Sequence, residues 1–159
     1  MICYAAAMPS RTDHTQAEYL RRLAAERPDI ALCRVSSLVA RAAETHAQQQ
    51  GLGVGQHLVL KMLAEVGPRS QRVLSEALRI DRSVMVGIAD DLEAAGYVRR
   101  ERDPADRRAY AVTITETGEQ ALAGAEKTVP DYLSRTFAVL EPEEREQLTR
   151  LLGKLLAAN

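Results

Sequence analysis

The sequence of 159 residues contains no tryptophan, one phenylalanine and only 4% aromatic residues. So small a stock of rings argues against a sugar-binding cleft and against a platform for stacking single-stranded bases, since both depend on exposed aromatics. There are two cysteines, Cys3 and Cys33. With no Cys-x-x-Cys and no Cys/His cluster, neither a disulfide framework nor structural zinc is expected to hold the fold. The histidines His14, His46 and His57 show no metal-ligand spacing, so no metal and no cofactor is expected. No stretch approaches the roughly 18 uninterrupted apolar residues of a membrane span. The apolar opening Met1 to Met8 lacks Lys and Arg and is too short for a secretory leader. These absences together predict a cytoplasmic protein in a reducing compartment, with no membrane association. Either Met1 or Met8 could be the native start.

Catalytic signatures are missing as well. There is no nucleophile elbow, no Gly-rich phosphate loop, no H-E-x-x-H and no facing carboxylate pair set beside a histidine. No enzyme is expected. Nor does one charge sign dominate: 21 Lys+Arg stand against 22 Asp+Glu, a net charge of −1. Any nucleic-acid surface must therefore arise from where the charges sit.

What is present is ordinary globular composition, 46% hydrophobic and 27% charged. A chain of this length hides about 68–70% of its unfolded surface, enough for a stable core without staples. Glu18 to Glu26 reads as a charged helix with Leu20 and Leu23 on one face, closed by Pro28. Asp29 is expected to cap a longer helix with Leu32, Val35, Leu38, Val39 and Ala42 at helical spacing, ending near Gln50. A third helix is predicted from Gln56 to Val66, with Leu58, Val59, Met62, Leu63 and Val66 inward, stopped by Gly67-Pro68.

The pieces then shorten. Ser70 should cap a helix carrying Val73, Leu74, Ala77 and Leu78, Arg79-Ile80 turns the chain, and Asp81 should cap a second helix ending at Ala95-Gly96. Two short helices joined by a tight turn are a helix-turn-helix. Tyr97 to Arg102 and Tyr110 to Ile114 read as two strands around the turn Asp103-Pro104-Ala105-Asp106. This hairpin holds Arg99, Arg100, Arg102, Arg107 and Arg108 against Glu101, Asp103 and Asp106, a local basic excess in an otherwise acidic chain. Arginines at a hairpin tip can enter a narrow minor groove while the preceding helix lies in the major groove. An Arg-rich hairpin alone would be read as a solvated loop; its place after a capped helix-turn-helix favours DNA. Thr115 should cap a helix carrying Leu122, Val129, Leu133 and Phe137, bent at Pro130. The last helix starts at Leu140-Glu141-Pro142 and presents Leu148, Leu151, Leu152, Leu155 and Leu156, a density that asks for a second copy of the chain.

Residues from about Asp29 to Ala157 resemble the MarR family of winged-helix transcriptional regulators. The resemblance is carried by Leu74-Ser75-Glu76-Ala77-Leu78, Asp81-Arg82-Ser83, Asp90-Asp91-Leu92-Glu93-Ala94-Ala95-Gly96-Tyr97-Val98, Asp103-Pro104-Ala105-Asp106-Arg107-Arg108 and Ile114-Thr115-Glu116-Thr117-Gly118. It implies a mainly α fold with a small β-hairpin wing. A winged helix-turn-helix domain (54–115) would follow an N-terminal extension with a short helix (1–28), and helices from 29–50 and 116–159 would form a dimerisation domain. It also implies a homodimer on pseudo-palindromic double-stranded DNA, acting as a repressor released by a small phenolic or carboxylate effector.

Carried over by position, Arg82, Ser83, Val86 and Gly87 would face the major groove, with Val84, Met85, Ile88 and Leu92 among the packing residues. Many relatives have Thr-Arg where this chain has Val86-Gly87, so fewer donors would reach base edges. Val86 can still meet a thymine methyl, and Gly87 admits close backbone approach. Ser70, Gln71 and Arg72 would contact phosphate, although Ser70 could equally be a plain cap. At the wing, Asp106 would orient an arginine, Arg108 would enter the minor groove and Arg107 would reach phosphate.

The resemblance places Arg34, Arg41, His46 and His57 near a ligand cavity, where Arg34, Arg41 or His57 could hold a carboxylate. The plainer reading is that these side chains are exposed or structurally satisfied. Cys33 follows Leu32 as the reactive cysteine does in the oxidant-sensing branch of the family, which makes a thiol-based sensor one alternative. Val54 and His57 stand where that branch has tyrosines, so inert packing is the preferred reading of Cys33. A winged helix used for protein contacts, without specific DNA binding, is the other alternative; the five wing arginines speak against it.

Overall fold

The computed structural model describes residues 11–102 and 110–158. Met1, Cys3, Met8 and the wing-tip residues Asp106, Arg107 and Arg108, expected to serve DNA contact, lie outside the described residues. The elements run α1 (Arg11–Glu26), α2 (Pro28–Gln49), α3 (Val54–Val66), β1 (Arg69–Ser70), α4 (Gln71–Leu78), α5 (Arg82–Ala94), β2 (Val98–Arg102), β3 (Tyr110–Ile114), α6 (Glu116–Glu126), α7 (Val129–Thr136) and α8 (Pro142–Ala157). The architecture is mainly helical with a small antiparallel sheet. The chain divides into two compact units, Met1–Ala42 and Ala43–Asn159.

In the first unit, α1 begins earlier than its apolar spacing predicts, because polar residues sustain a helix without marking a stripe. Pro28 ends one helix and opens the next. Asp29 is not the cap expected of it: it lies in the first turn of α2, where both its oxygens accept from Arg27, Nε at 3.0 Å and Nη2 at 2.6 Å. Proline has no amide to leave unpaired at a first helical position and its φ is preset for a helix, so the helix starts at Pro28 and Asp29 falls inside the first turn. α2 has no buried residue, and Ile30, Leu32, Val35 and Leu38 are all exposed. Cys33 on the same helix is exposed too, which overturns the reading that it packs in a core within the protomer.

The second unit holds the core. Leu52, Val59, Leu60, Leu63, Leu74, Met85, Leu92, Val98, Val112, Leu122 and Ala125 form one buried cluster drawn from α3, α4, α5, α6 and both long strands. On α3 the buried residues are Val59, Leu60 and Leu63, whereas Leu58 and Val66, predicted inward, are exposed. On α5 the stripe is Met85, Ala89 and Leu92, at helical spacing; Val84 lies one step off it and is exposed, contrary to the packing role expected of it.

The wing is part of a three-stranded sheet in the order β1-β3-β2. The predicted hairpin is β2 and β3, paired from Val98 with Ile114 to Arg102 with Tyr110. The third strand is an addition: Arg69 and Ser70 pair with Val112 and Ala111. The long helix expected after Thr115 is broken rather than bent. The Thr128 hydroxyl donates to the Ala125 carbonyl at 2.8 Å, closing α6, and Pro130 lies in the first turn of α7. α8 opens with Pro142, with the Glu141 amide donating to Glu144 at 2.9 Å, and buries none of its leucines.

Candidate nucleic-acid interface

α4 and α5 are positioned by local chemistry that the sequence carries openly. The Ser70 hydroxyl accepts from the Val73 amide at 3.3 Å and caps α4. At the other end Arg79 adopts the left-handed conformation, φ 52°. The turn is held by Ser75, which is buried: its carbonyl accepts from the amides of Arg79 and Ile80, and its hydroxyl donates to the Ile80 carbonyl at 2.7 Å. Asp81 then caps α5, accepting from the Ser83 hydroxyl at 2.6 Å and the Ser83 amide at 2.8 Å. These two bonds, the hydroxyl first, hold the Asp81 carboxyl below its usual range.

With Met85, Ala89 and Leu92 turned into the core, α5 leaves Arg82, Ser83, Val86 and Gly87 exposed. Gln71, Arg72, Arg82 and Val86 line one notch of about 190 Å³ between the two helices. A Cβ on Gly87 would meet nothing within 4 Å, so neither packing nor backbone conformation demands glycine there. Two expected contacts have structural duties: Ser70 caps α4, and the Ser83 hydroxyl proton is already given to Asp81. Reasoning from sequence missed Glu76. Its carboxylate accepts from Arg72 at 3.0 and 3.1 Å and lies 3.7 Å from Arg82. The four-residue spacing of Arg72 and Glu76 on one helix was the signal available.

The wing arginines are not all alike. Arg100 is ion-paired with both Asp90 and Glu93 of α5, and its side chain is only 24% exposed. Burial opposes its charge, but the two carboxylates outweigh that and raise its pKa. Arg99 pairs with Glu101 within β2 at 2.6 Å. At the wing's exit, Thr115 donates from its hydroxyl to the Gly96 carbonyl at 2.7 Å and accepts from the Gly118 amide at 3.1 Å. A Cβ on Gly118 would lie 2.1 Å from the Tyr97 carbonyl oxygen, so only glycine fits.

Arg34 and Arg41 line an open groove of about 520 Å³ with Asp29, Ile30, Cys33, Ser37 and Leu38, all on α2. His57 instead bonds Glu126 of α6 at 2.8 Å, and Lys61 donates to the same oxygen at 2.9 Å. His46 stacks on Tyr132 with ring centroids 4.5 Å apart and bonds the Thr128 hydroxyl at 3.0 Å. Among the described residues, no group of three or more His, Cys, Asp or Glu is arranged to hold a metal ion. No described helix is long and apolar enough to cross a membrane.

Known proteins share both sequence and architecture with this chain. A sequence model of the MarR family matches residues 50–109. A protein assigned to transcriptional regulation of the hcr operon in Thauera aromatica is 34% identical over 71% of this chain and 68% of its own length. A MarR family transcriptional regulator from Rhodococcus sp. RHA1 superposes with a TM-score of 0.74 at 27% identity, over 82% of this chain and 93% of that one. A Mycobacterium tuberculosis MarR family protein, crystallised with p-aminosalicylic acid, gives a TM-score of 0.66 at 24% identity, over 79% and 95% of the two chains.

Proposed function

This chain belongs to the MarR family of transcriptional regulators, and from that premise we propose that it is a homodimeric, sequence-specific repressor released from DNA by a small phenolic or carboxylate effector. The observation that carries the DNA-reading part is the convergence of Gln71, Arg72, Arg82 and Val86 on one notch between α4 and α5. In this reading α5 lies in the major groove. Arg82 reaches phosphate or a guanine edge, Val86 meets a thymine methyl, Gly87 admits the DNA closely, and Ser83 shares its hydroxyl with Asp81. Ser70, Gln71 and Arg72 meet phosphate at the start of α4. At the wing Asp106 orients an arginine, Arg107 takes a phosphate contact and Arg108 enters the minor groove. With few donors on α5, the protein reads DNA shape more heavily than base edges.

The dimer is supported by α2 and α8, neither of which buries a residue in the protomer although both carry apolar faces. Leu151 and Leu152 are exposed, as is Leu133 on α7. Apolar surface of this kind is retained where a second copy covers it. Residues 29–50 and 116–159 would then serve dimerisation and residues 54–115 DNA binding, in the cytoplasm where the DNA lies. Arg34 and Arg41 line the groove on α2 and would meet an anionic effector there, while His57 bonds Glu126.

Footprinting of the purified protein on upstream regions tests this reading. It should protect an inverted repeat whose half-sites are about 10 bp apart, as paired helices require. Aromatic carboxylates and phenols that raise the melting temperature should also release the footprint. A monomer in light scattering at micromolar concentration, or protection without a repeat, would contradict it.

A further inference from the structure

The surface proposed to meet DNA carries a carboxylate where a phosphate-binding face should want none. Glu76 on α4 bonds Arg72 through both oxygens, at 3.0 and 3.1 Å, and stands 3.7 Å from Arg82 on α5. All three side chains are half exposed or more, at 52% for Glu76, 65% for Arg72 and 75% for Arg82. Ion pairs so exposed contribute little to folding. Stability therefore does not account for Glu76, and its charge would be repelled by an approaching phosphate.

We propose that Glu76 is a specificity-determining positioning residue: it gathers the guanidinium groups of Arg72 and Arg82, from the two helices of the helix-turn-helix, into one constellation and withholds them from phosphates met at random. The inference rests on the DNA-binding reading above. Two free arginines would grip any duplex, because phosphate attraction carries no sequence information. A single nitrogen of Arg72, Nη1, donates to both Glu76 oxygens, a charge-assisted contact that turns that edge of the guanidinium toward the carboxylate. A phosphate at an arbitrary position must compete with this carboxylate. A correctly placed site meets the N–H groups that point away from Glu76, with part of the ordering cost of Arg72 already met before binding. The acid thus weakens the wrong complex more than the right one, which is how an unfavourable element sharpens selectivity.

Fluorescence anisotropy over a salt series, with the footprinted duplex and a scrambled one, tests the proposal. Glu76→Gln keeps the shape and loses the charge. It should tighten scrambled-duplex binding several-fold, change the footprinted site less, and so lower the ratio of the two affinities by up to the same factor. Its salt slope on the scrambled duplex should steepen by about 1 to 2, since each freed arginine that neutralises a phosphate adds about 0.9. Glu76→Lys should move both quantities further the same way, and serves as the second variant should Glu76→Gln melt early. Glu143→Gln, which removes an equal charge from α8, should change neither. A discriminating wild type whose ratio and slope survive Glu76→Gln, or shift equally in Glu143→Gln, would overturn this inference alone. A wild type that does not discriminate would overturn the DNA reading and this inference with it.

Discussion

Arg100 on β2 is ion-paired with Glu93 on α5, so the first strand of the wing is tied by charge to the helix that precedes it. Asp90, one turn earlier on α5, takes another nitrogen of the same guanidinium. Among the described wing arginines, Arg99 and Arg100 are each held by acidic partners. Arg100 links β2 to α5, and Arg99 pairs with Glu101.

Replacing Arg100 by Ala should destabilise the protein by about 1–2 kcal/mol, between the cost of losing an exposed pair and that of breaking a buried one. Arg100→Lys should recover only part of this, because an ammonium cannot bond two carboxylates in a planar fork. Urea unfolding of the three proteins measures it. Equal stability in all three would mean that the contact does not fix the wing.

Gly118 allows the approach of α6 to the turn before the wing. Gly118→Ala places a methyl against the Tyr97 carbonyl oxygen, at 2.1 Å if nothing moves. Backbone cannot step aside as a side-chain tip can. The expected loss is about 1–3 kcal/mol or more, the range for overpacking. Gly124→Ala on the same helix, where a Cβ meets nothing within 4 Å, should be neutral or slightly stabilising. Parallel melts of the two variants test the contrast, and similar losses in both would contradict it.

Glu126 joins α6 to α3 through Lys61 and His57. The hydrogen bond from Lys61, with a lesser one from His57, holds its carboxyl below the ordinary value of 4.5 although burial works the other way. A depressed carboxyl stabilises the fold above its unfolded pKa, and that contribution fades as pH falls through 4.5 toward the folded value. The stability lost by wild type between pH 5 and pH 3 should thus exceed that lost by Glu126→Gln, within the roughly acid range where native-state carboxylates are titrated. Identical pH profiles would show that the bridge contributes nothing.

Cys33 is exposed on α2, yet exposure alone does not make a thiol reactive. Val54 and His57 supply no phenol, and His57 is turned to Glu126. Cys33→Ser should leave the peroxide sensitivity of DNA binding unchanged. A wild-type complex that dissociates with peroxide while the Ser variant holds would replace effector release with oxidation sensing.

The legible parts of this fold are those whose causes are local in sequence. Ser70, Asp81 and Thr115 were expected to cap helices and do so with bonds to residues two or three positions on. The strand Tyr110–Ile114 has the bounds its alternation predicted. β1 was not readable, because two residues become a strand only by meeting Val112 and Ala111 some forty positions later. Arg100 looked like any wing arginine until its partners, seven and ten residues back, were brought beside it. Asp29 misled because the helix starts one residue earlier, at Pro28, which is itself a good first helical residue. At the candidate interface, the identity of the α4 and α5 residues was readable from the helix-turn-helix pattern, but the bridge from Glu76 to Arg82 crosses the turn and is a product of folding. The partner of His57 was not readable either, since Glu126 lies 69 positions further along the chain and no spacing announces it.

The central claim is that this chain reads a DNA sequence through α4, α5 and the wing. Its most direct test is the ratio of dissociation constants for the footprinted inverted repeat and a scrambled duplex of equal length, at one fixed salt concentration, for wild type, Arg82→Ala and Arg108→Ala. Wild type should prefer the repeat by about 10³-fold or more. Each variant should lose on the order of 1–3 kcal/mol of that preference with its melting temperature unchanged. A wild-type ratio near one would contradict the claim, and variants that weakened both duplexes equally would reduce Arg82 and Arg108 to phosphate contacts.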